Sequence, residues 1–207
     1  MHTRGIQNII FDLGNTLVYY DFCYFYDRLA QREIGLNAFK LRKFIIDNKY
    51  DIKVCKGILK HKDFFTIVKK KFKLRTSYSD FTYFYADIFW ANSSMKIFLE
   101  RIARIKKFKL FLMSNTDPVH INFLDKNFPF VKIIRNRILS YKAGHVKPQK
   151  VFFKYALKKY KLIPKDTVLI DDIKKNIIAA KSAGMNAIHY TNHKKFLKQF
   201  GMLLRSR

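Results

Sequence analysis

Short, almost continuously apolar segments limit what this chain can fold into. Five of them are evident: NIIFDL (8–13), KLFLMS (109–114), VKII (131–134), TVLIDD (167–172) and NAIHY (186–190). Such runs are typical of parallel strands that are buried on both faces. Helical patterns lie between the later ones, at 95–106, 151–160 and 176–183. This alternation predicts an α/β fold, a Rossmann-like doubly wound parallel sheet.

Residues 21–90 interrupt the alternation. They contain amphipathic helical patterns rich in Phe and Tyr, with turns marked by Gly35 and Gly57. The patterns cover 22–33, 37–48, 61–72 and 78–90. We therefore predict a small all-helical cap, residues 21–90, inserted after the first strand of a core formed by residues 1–20 and 91–207.

Composition favours a folded protein of the cytoplasm. The 207 residues are 49% hydrophobic, which predicts a packed core rather than disorder. The only cysteines, Cys23 and Cys55, form no CxxC motif, as is typical of reduced thiols. No apolar run approaches the roughly 18 residues of a membrane helix, and Asp12 interrupts the only candidate for a signal-peptide core. We predict a cytoplasmic localisation without a membrane partner.

The formal net charge of +27 suggests an affinity for phosphates, nucleic acid or acidic lipid. However, Lys, Asn, Ile and Phe are abundant together along the whole chain, as a coding bias would produce. No recognised nucleic-acid motif accompanies the charge. Nucleic acid is therefore an alternative partner that is not favoured, and the oligomeric state is left open.

Polar residues follow several of the predicted strands, where ligands of open α/β sheets bind. They are Asp12, Ser114-Asn115-Thr116, Lys147 in the loop before residue 151, and Asp171-Asp172. Each has an ordinary interpretation: Asp12 as a turn former, Ser114-Asn115 as a helix cap, and Lys147 as one lysine among many. Adjacent acids at the end of a buried strand lose solvation and repel each other, which favours a bound cation. The combination in this order is more specific than any part of it.

Four stretches resemble the conserved motifs of the haloacid dehalogenase-like (HAD) hydrolases, in the subgroup with a helical cap. They are FDLGNTLV, FLMSNT, GHVKPQKVF and VLIDDIKKNIIAAKSAGM. In addition, KGILKHKDFF resembles part of the family's cap, and DIFWANSSMKIFLERI resembles the return to the core. The chain looks like the glucose-1-phosphate phosphatase-like members and the phosphatase domain of soluble epoxide hydrolases.

The resemblance implies a Mg²⁺-dependent phosphatase whose partner is a small phosphorylated metabolite, with a sugar phosphate favoured. It implies that Asp12 is the nucleophile that forms an aspartyl-phosphate, and that Lys147 neutralises negative charge beside it. The phosphoryl oxygens would be bound by Ser114, Asn115 and Thr116. The metal would be held by Asp12, the backbone carbonyl of Gly14 and Asp172, with Asp171 in support.

The sequence departs from the family pattern at position 14. Phosphatases of the family usually carry an Asp there, which protonates the leaving group and then activates water, whereas this chain has Gly14. Three interpretations follow: a phosphatase with a different or dispensable acid, a 2-haloacid dehalogenase, or a catalytically weak or inactive protein that binds phosphate or a partner. The pair Asp171-Asp172 argues against the dehalogenase, and the retained motif residues argue against an inactive protein.

Other side chains are candidates for the substrate site. Asp21 or His120 could replace the missing acid. Tyr19 and Tyr20 are expected to line the mouth between core and cap. Aromatic cap residues are expected to contact the leaving group, namely Phe25, Tyr26 and Trp90.

Overall fold

The protein has a central parallel sheet of five strands in a computed structural model that describes residues 5–205. The predicted core includes residues 1–4, 206 and 207, which lie outside the described residues. The described helices and strands are, in chain order, β1 (Asn8–Phe11), β2 (Val18–Tyr20), α1 (Cys23–Arg32), α2 (Ala38–Asp47), α3 (Tyr50–Cys55), α4 (His61–Phe72), α5 (Tyr78–Ala86), β3 (Phe89–Ala91), α6 (Ser93–Ile105), β4 (Lys109–Ser114), α7 (Pro118–Asn127), β5 (Asn136–Leu139), α8 (Ser140–Ala143), α9 (Lys150–Lys159), β6 (Thr167–Asp171), α10 (Lys174–Ser182), β7 (Asn186–His189) and α11 (His193–Arg205).

The sheet order is β5-β4-β1-β6-β7, and every pairing in it is parallel. The chain runs outward from β1 through β4 to β5, and then returns to the other side of β1 for β6 and β7. The predicted Rossmann-like, doubly wound sheet is therefore confirmed. Two hydrophobic clusters cover its faces, one around Ile9 and Phe11 and the other around Ile10 and Phe153, because neighbouring residues of β1 point to opposite sides.

The helices α1–α5 have a hydrophobic cluster of their own, built around Phe25, Phe64 and Phe81. The chain enters this helical unit through β2 and leaves it through β3, and these two strands pair antiparallel, with Tyr20 opposite Phe89. These helices thus have a hydrophobic cluster of their own, and the division of the chain into core and cap stays a prediction. The strand pair at its base and the short helix α3 were not predicted.

The predicted strand at 131–134 is wrong. Residues Pro129–Ile133 form a 3-10 helix, and the strand beside β4 is Asn136–Leu139. Val131 and Ile134 are fully buried, so the apolar run reflects the burial of a helical turn, which a stretch of four residues does not distinguish from a strand. The real strand escaped detection because it lies at the sheet edge and contains Arg137, which pairs with Asp125 at 2.7 Å.

Within the described part of the chain, no helix is long and apolar enough to cross a membrane.

Candidate active site

Three neighbouring strands end at one edge of the sheet and bring the predicted residues together. Phe11 of β1 lies opposite Leu112 of β4 and Ile170 of β6. One residue further on, the backbone N–H of Asp12 donates to the carbonyl oxygen of Ile170 at 2.9 Å. Ser114 and Asp171 are the last residues of their strands, so their side chains emerge at this same edge.

Lys147 lies between two of the carboxylates. Its Nζ is 2.7 Å from Oδ1 of Asp12 and 2.6 Å from Oδ2 of Asp171, and all three residues are buried. Asn115 holds the lysine's backbone, because its Nδ2 donates to the Lys147 carbonyl at 2.9 Å and its Oδ1 accepts from the Lys147 N–H at 2.7 Å. The side-chain amide of Asn115 therefore ties the end of β4 to the loop that carries the lysine.

Asp171 accepts several hydrogen bonds. Besides Lys147, its oxygens accept from Nδ2 of Asn176 at 2.9 and 3.1 Å and from the backbone N–H of Ile173 at 2.9 Å. It is fully buried and does not line the cavity described below. Its geometry orients the ammonium group of Lys147 toward Asp12.

The electrostatics of this edge are dominated by burial. Burial raises the pKa of Asp12, and the nearby Asp171 and Asp172 raise it further, while Lys147 opposes them. Burial lowers the pKa of Lys147, yet the two contacting carboxylates outweigh that effect and the net pKa is raised, so the ammonium form is held. Burial, followed by the charge of Asp171, also raises the pKa of Asp172.

Three carboxylates could share a cation here. Asp12, Asp171 and Asp172 each offer an oxygen, and these atoms lie within 4.8 Å of one another. An all-oxygen donor set of like charges suits a hard divalent cation. The residues present therefore fit Mg²⁺.

A cavity of about 320 Å³ lies between this edge and the helical unit. Its core side contains Asp12, Gly14, Ser114–Thr116, Lys147 and Asp172. Its other side is formed by the helical unit, including Asp51, Ile52 and Cys55 of α3 and Tyr85 of α5. With the exception of Asp171, the predicted site residues thus line one cavity.

The two side chains proposed to replace the missing acid lie in different places, and so do the two tyrosines expected to line the mouth between core and cap. Asp21 does not line this cavity, and its carboxylate accepts the N–H of Cys23 at 2.8 Å at the start of α1. His120 and Tyr20 do line it, whereas Tyr19 does not.

The expected contacts of three aromatic residues with the leaving group are wrong. Phe25 and Tyr26 are buried in the cluster of the helical unit, and Trp90 is 45% exposed; none of them lines the cavity. The aromatic character of Phe25 and Tyr26 reflects the packing of the helical unit.

Sequence reasoning missed a buried polar cluster that joins α5 to α7. Oδ1 of Asp117 caps α7 by accepting the N–H groups of Val119 and His120. Its Oδ2 lies 2.7 Å from Nδ1 of His120 and accepts the hydroxyl of Tyr85 at 2.9 Å. Nε2 of His120 is 2.9 Å from the carbonyl oxygen of Tyr85, so both ring nitrogens face oxygen atoms.

This cluster fixes the charge of Asp117. Burial alone would raise the pKa of Asp117, but the charge and hydrogen bonds of His120 and the Tyr85 hydroxyl lower it to about 2. The Asp-Pro step before α7 is a helix-start signal that could have identified Asp117, since Asp is favoured at the N-cap and Pro at the next position. No local signal identifies Tyr85 as its partner, because the two residues meet only through the packing of α5 on α7.

Comparisons with known proteins found a matching family model and a curated relative. A family model described as haloacid dehalogenase-like hydrolase matches residues 6–184. A D-ribitol-5-phosphate phosphatase from Bacteroides thetaiotaomicron is 27% identical over 107 residues, 49% of this chain and 52% of that protein. The match therefore spans about half the length of this curated relative.

Solved structures show the same fold. A HAD family enzyme from Bacteroides thetaiotaomicron superposes with a TM-score of 0.83 and 21% identity, over 95% of this chain and 99% of that one. Its complex with magnesium and inorganic phosphate gives a TM-score of 0.79 and 23% identity, over 89% of this chain and 94% of that one. At these identities the likeness establishes the architecture.

Proposed function

This chain belongs to the haloacid dehalogenase-like hydrolases, and from that membership we propose that it is a Mg²⁺-dependent phosphatase acting on a small phosphomonoester. The observation that carries the proposal is the buried contact of 2.7 Å between Lys147 and Asp12, at a sheet edge that Ser114 and Asp172 share. A carboxylate beside a fixed positive charge at a strand end can attack phosphorus and form an aspartyl-phosphate.

The roles of the chain's own residues follow from their positions. Asp12 is the proposed nucleophile, and Lys147 offsets the charge that accumulates when a phosphate approaches it. Ser114 and Thr116 line the cavity as hydrogen-bonding groups for the phosphoryl oxygens, and Asn115 acts at least partly by positioning Lys147. Asp12, Asp172 and the Gly14 carbonyl would hold Mg²⁺, with Asp171 in support. The metal would supply positive charge against the substrate phosphate.

The cavity favours a small polar substrate. Its volume of about 320 Å³ is at the lower end of the range for small-molecule sites. Asp51 of α3 faces the same cavity, and a carboxylate there can accept hydrogen bonds from hydroxyl groups. The curated relative is a phosphatase of a sugar-alcohol phosphate. We therefore favour a sugar or sugar-alcohol phosphate.

Phosphate release tests the proposal directly. The wild-type protein would be assayed on ribitol 5-phosphate, glucose 1-phosphate and FMN, with Mg²⁺ or with EDTA. We expect turnover of at least one substrate, loss of it in EDTA, and loss of it in Asp12→Asn. The matched control is Asp63→Asn, which changes an exposed acid of α4 and should leave turnover unchanged.

Two outcomes would contradict this function. Full activity in Asp12→Asn would show that Asp12 is not the nucleophile. A wild-type protein that is as inactive as Asp12→Asn on every substrate would favour a protein that only binds phosphate or a partner.

A further inference from the structure

The ring of Tyr20 occupies the space that a side chain on Gly14 would need. A Cβ atom built on Gly14 would lie 2.5 Å from Cε1 and 3.0 Å from Cδ1 of Tyr20. Gly14 does not have the positive φ found at four other glycines, such as Gly35 and Gly57. Space, and not backbone conformation, therefore opposes a side chain at position 14 as long as the ring of Tyr20 stays in place.

The ring of Tyr20 is held in this place by its surroundings. Tyr20 is the last residue of β2 and pairs with Phe89 of β3. Its ring packs edge-to-face on the ring of Phe22, with the ring centroids 5.9 Å apart, and lies beside the ring of Phe89, with the centroids 6.1 Å apart. A bridge between Gly14 and Val18 ties the start of β2 to the loop after Asp12. These contacts pack the aromatic ring against the loop that follows Asp12.

Tyr20, which carries a phenolic hydroxyl, lines the same cavity as Asp12 and Asp172. Within residues 5–205 the hydroxyl has no hydrogen-bond partner, which leaves it available to a substrate.

We infer that Tyr20 replaces the acid that position 14 lacks, with its hydroxyl donating to the leaving-group oxygen of the substrate. The inference rests on the proposed phosphatase function. The ring fills the space that a side chain at position 14 would need, and it carries a phenol, which can donate a proton.

The two half-reactions balance with this residue. A carboxylate oxygen of Asp12 bonds to phosphorus, the bond from phosphorus to the ester oxygen breaks, and that oxygen takes the bonding pair and the proton of Tyr20. Water then bonds to phosphorus and gives its proton to the tyrosinate, while the bond from phosphorus to Asp12 breaks. The products are the alcohol and phosphate, and both side chains return to their starting forms.

Tyr20→Phe tests the hydroxyl while keeping the ring. We would measure kcat/KM, which includes only the steps up to release of the alcohol, on 4-nitrophenyl phosphate, phenyl phosphate, ribitol 5-phosphate and glucose 1-phosphate. Removing a general acid costs about 10²–10⁴-fold when the leaving group needs a proton. We expect a loss at least about tenfold larger for phenyl phosphate than for 4-nitrophenyl phosphate, whose leaving group is stable as an anion. Tyr19→Phe, on the opposite side of β2 and outside the cavity, should match the wild type.

A side-chain exchange provides a second test. Tyr20→Ala empties the space beside Gly14, and the double variant Gly14→Asp/Tyr20→Ala places a carboxylate there. We expect kcat/KM of the double variant to be at least about tenfold higher than that of Tyr20→Ala, because the carboxylate restores a general acid. Gly14→Asp alone should not gain activity, because the ring still occupies the space.

The outcomes separate this inference from the proposed function. The role of Tyr20 is overturned if activity needs Asp12 but Tyr20→Phe has no effect, or if Tyr20→Phe loses activity equally for every leaving group. In either case the proposed phosphatase function still stands. A wild-type protein inactive on all four substrates overturns both.

Discussion

Lys147→Met would remove the positive charge between two buried carboxylates and keep most of the side-chain volume. In the native structure its Nζ lies 2.7 Å from Asp12 and 2.6 Å from Asp171. At an effective dielectric constant of about 20, each contact is worth about 6 kcal/mol of attraction. Desolvation of the buried charges offsets most of this, and breaking such a pair costs about 3–5 kcal/mol because it leaves an uncompensated charge. We expect Lys147→Met to lower the free energy of unfolding by that amount.

Urea denaturation, followed by circular dichroism and by the fluorescence of the single tryptophan, would measure this loss. The buffer would contain EDTA, so that no cation takes the place of the ammonium group. Lys150→Met is the matched control, because Lys150 is exposed at the start of α9 and should change stability by less than about 0.5 kcal/mol.

A double variant tests whether the loss comes from the carboxylates. Lys147→Met/Asp171→Asn removes one of the two acids left unpaired, and we expect it to be at least about 1 kcal/mol more stable than Lys147→Met alone. A loss below about 1 kcal/mol in the single variant would refute the reasoning, as would a double variant less stable than the single one.

Two further predictions concern His61 and Asn115. Burial lowers the pKa of His61 from 6.5 to about 4, so as pH falls the unfolded chain binds this proton first, and stability is lost between about pH 6.5 and 4. In urea unfolding, the wild type should lose about 1–3 kcal/mol more than His61→Leu between pH 7.5 and pH 4.5; parallel losses would show that His61 does not titrate in this way. Asn115→Ala removes both hydrogen bonds that hold the Lys147 backbone. It should reduce kcat/KM by about 10- to 100-fold through misplacement of the lysine, and unchanged kcat/KM in phosphate-release assays would show that the loop holds Lys147 without it.

Local patterns determined much of the fold. The apolar runs around β1, β4, β6 and β7 predicted those strands, because a segment covered on both faces must be apolar along its whole length. The same criterion failed for the edge strand β5, whose exposed side tolerates Arg137, and it misread the buried turn at Val131. The short strands β2 and β3 gave no signal, since each is defined only by its pairing with the other.

The candidate site divides in the same way. The sequence by itself determined which side chains stand at the strand ends, Asp12, Ser114 and Asp171 among them, and that position 14 is a glycine. Only the tertiary structure decided that Asn115 holds the backbone of Lys147 and that Tyr20 fills the space beside Gly14. Strand ends are set by local periodicity, whereas these contacts depend on how separate loops and strands come together in the folded chain. The partners of Asn115 and Tyr20 are therefore determined by packing, which no local sequence pattern predicts.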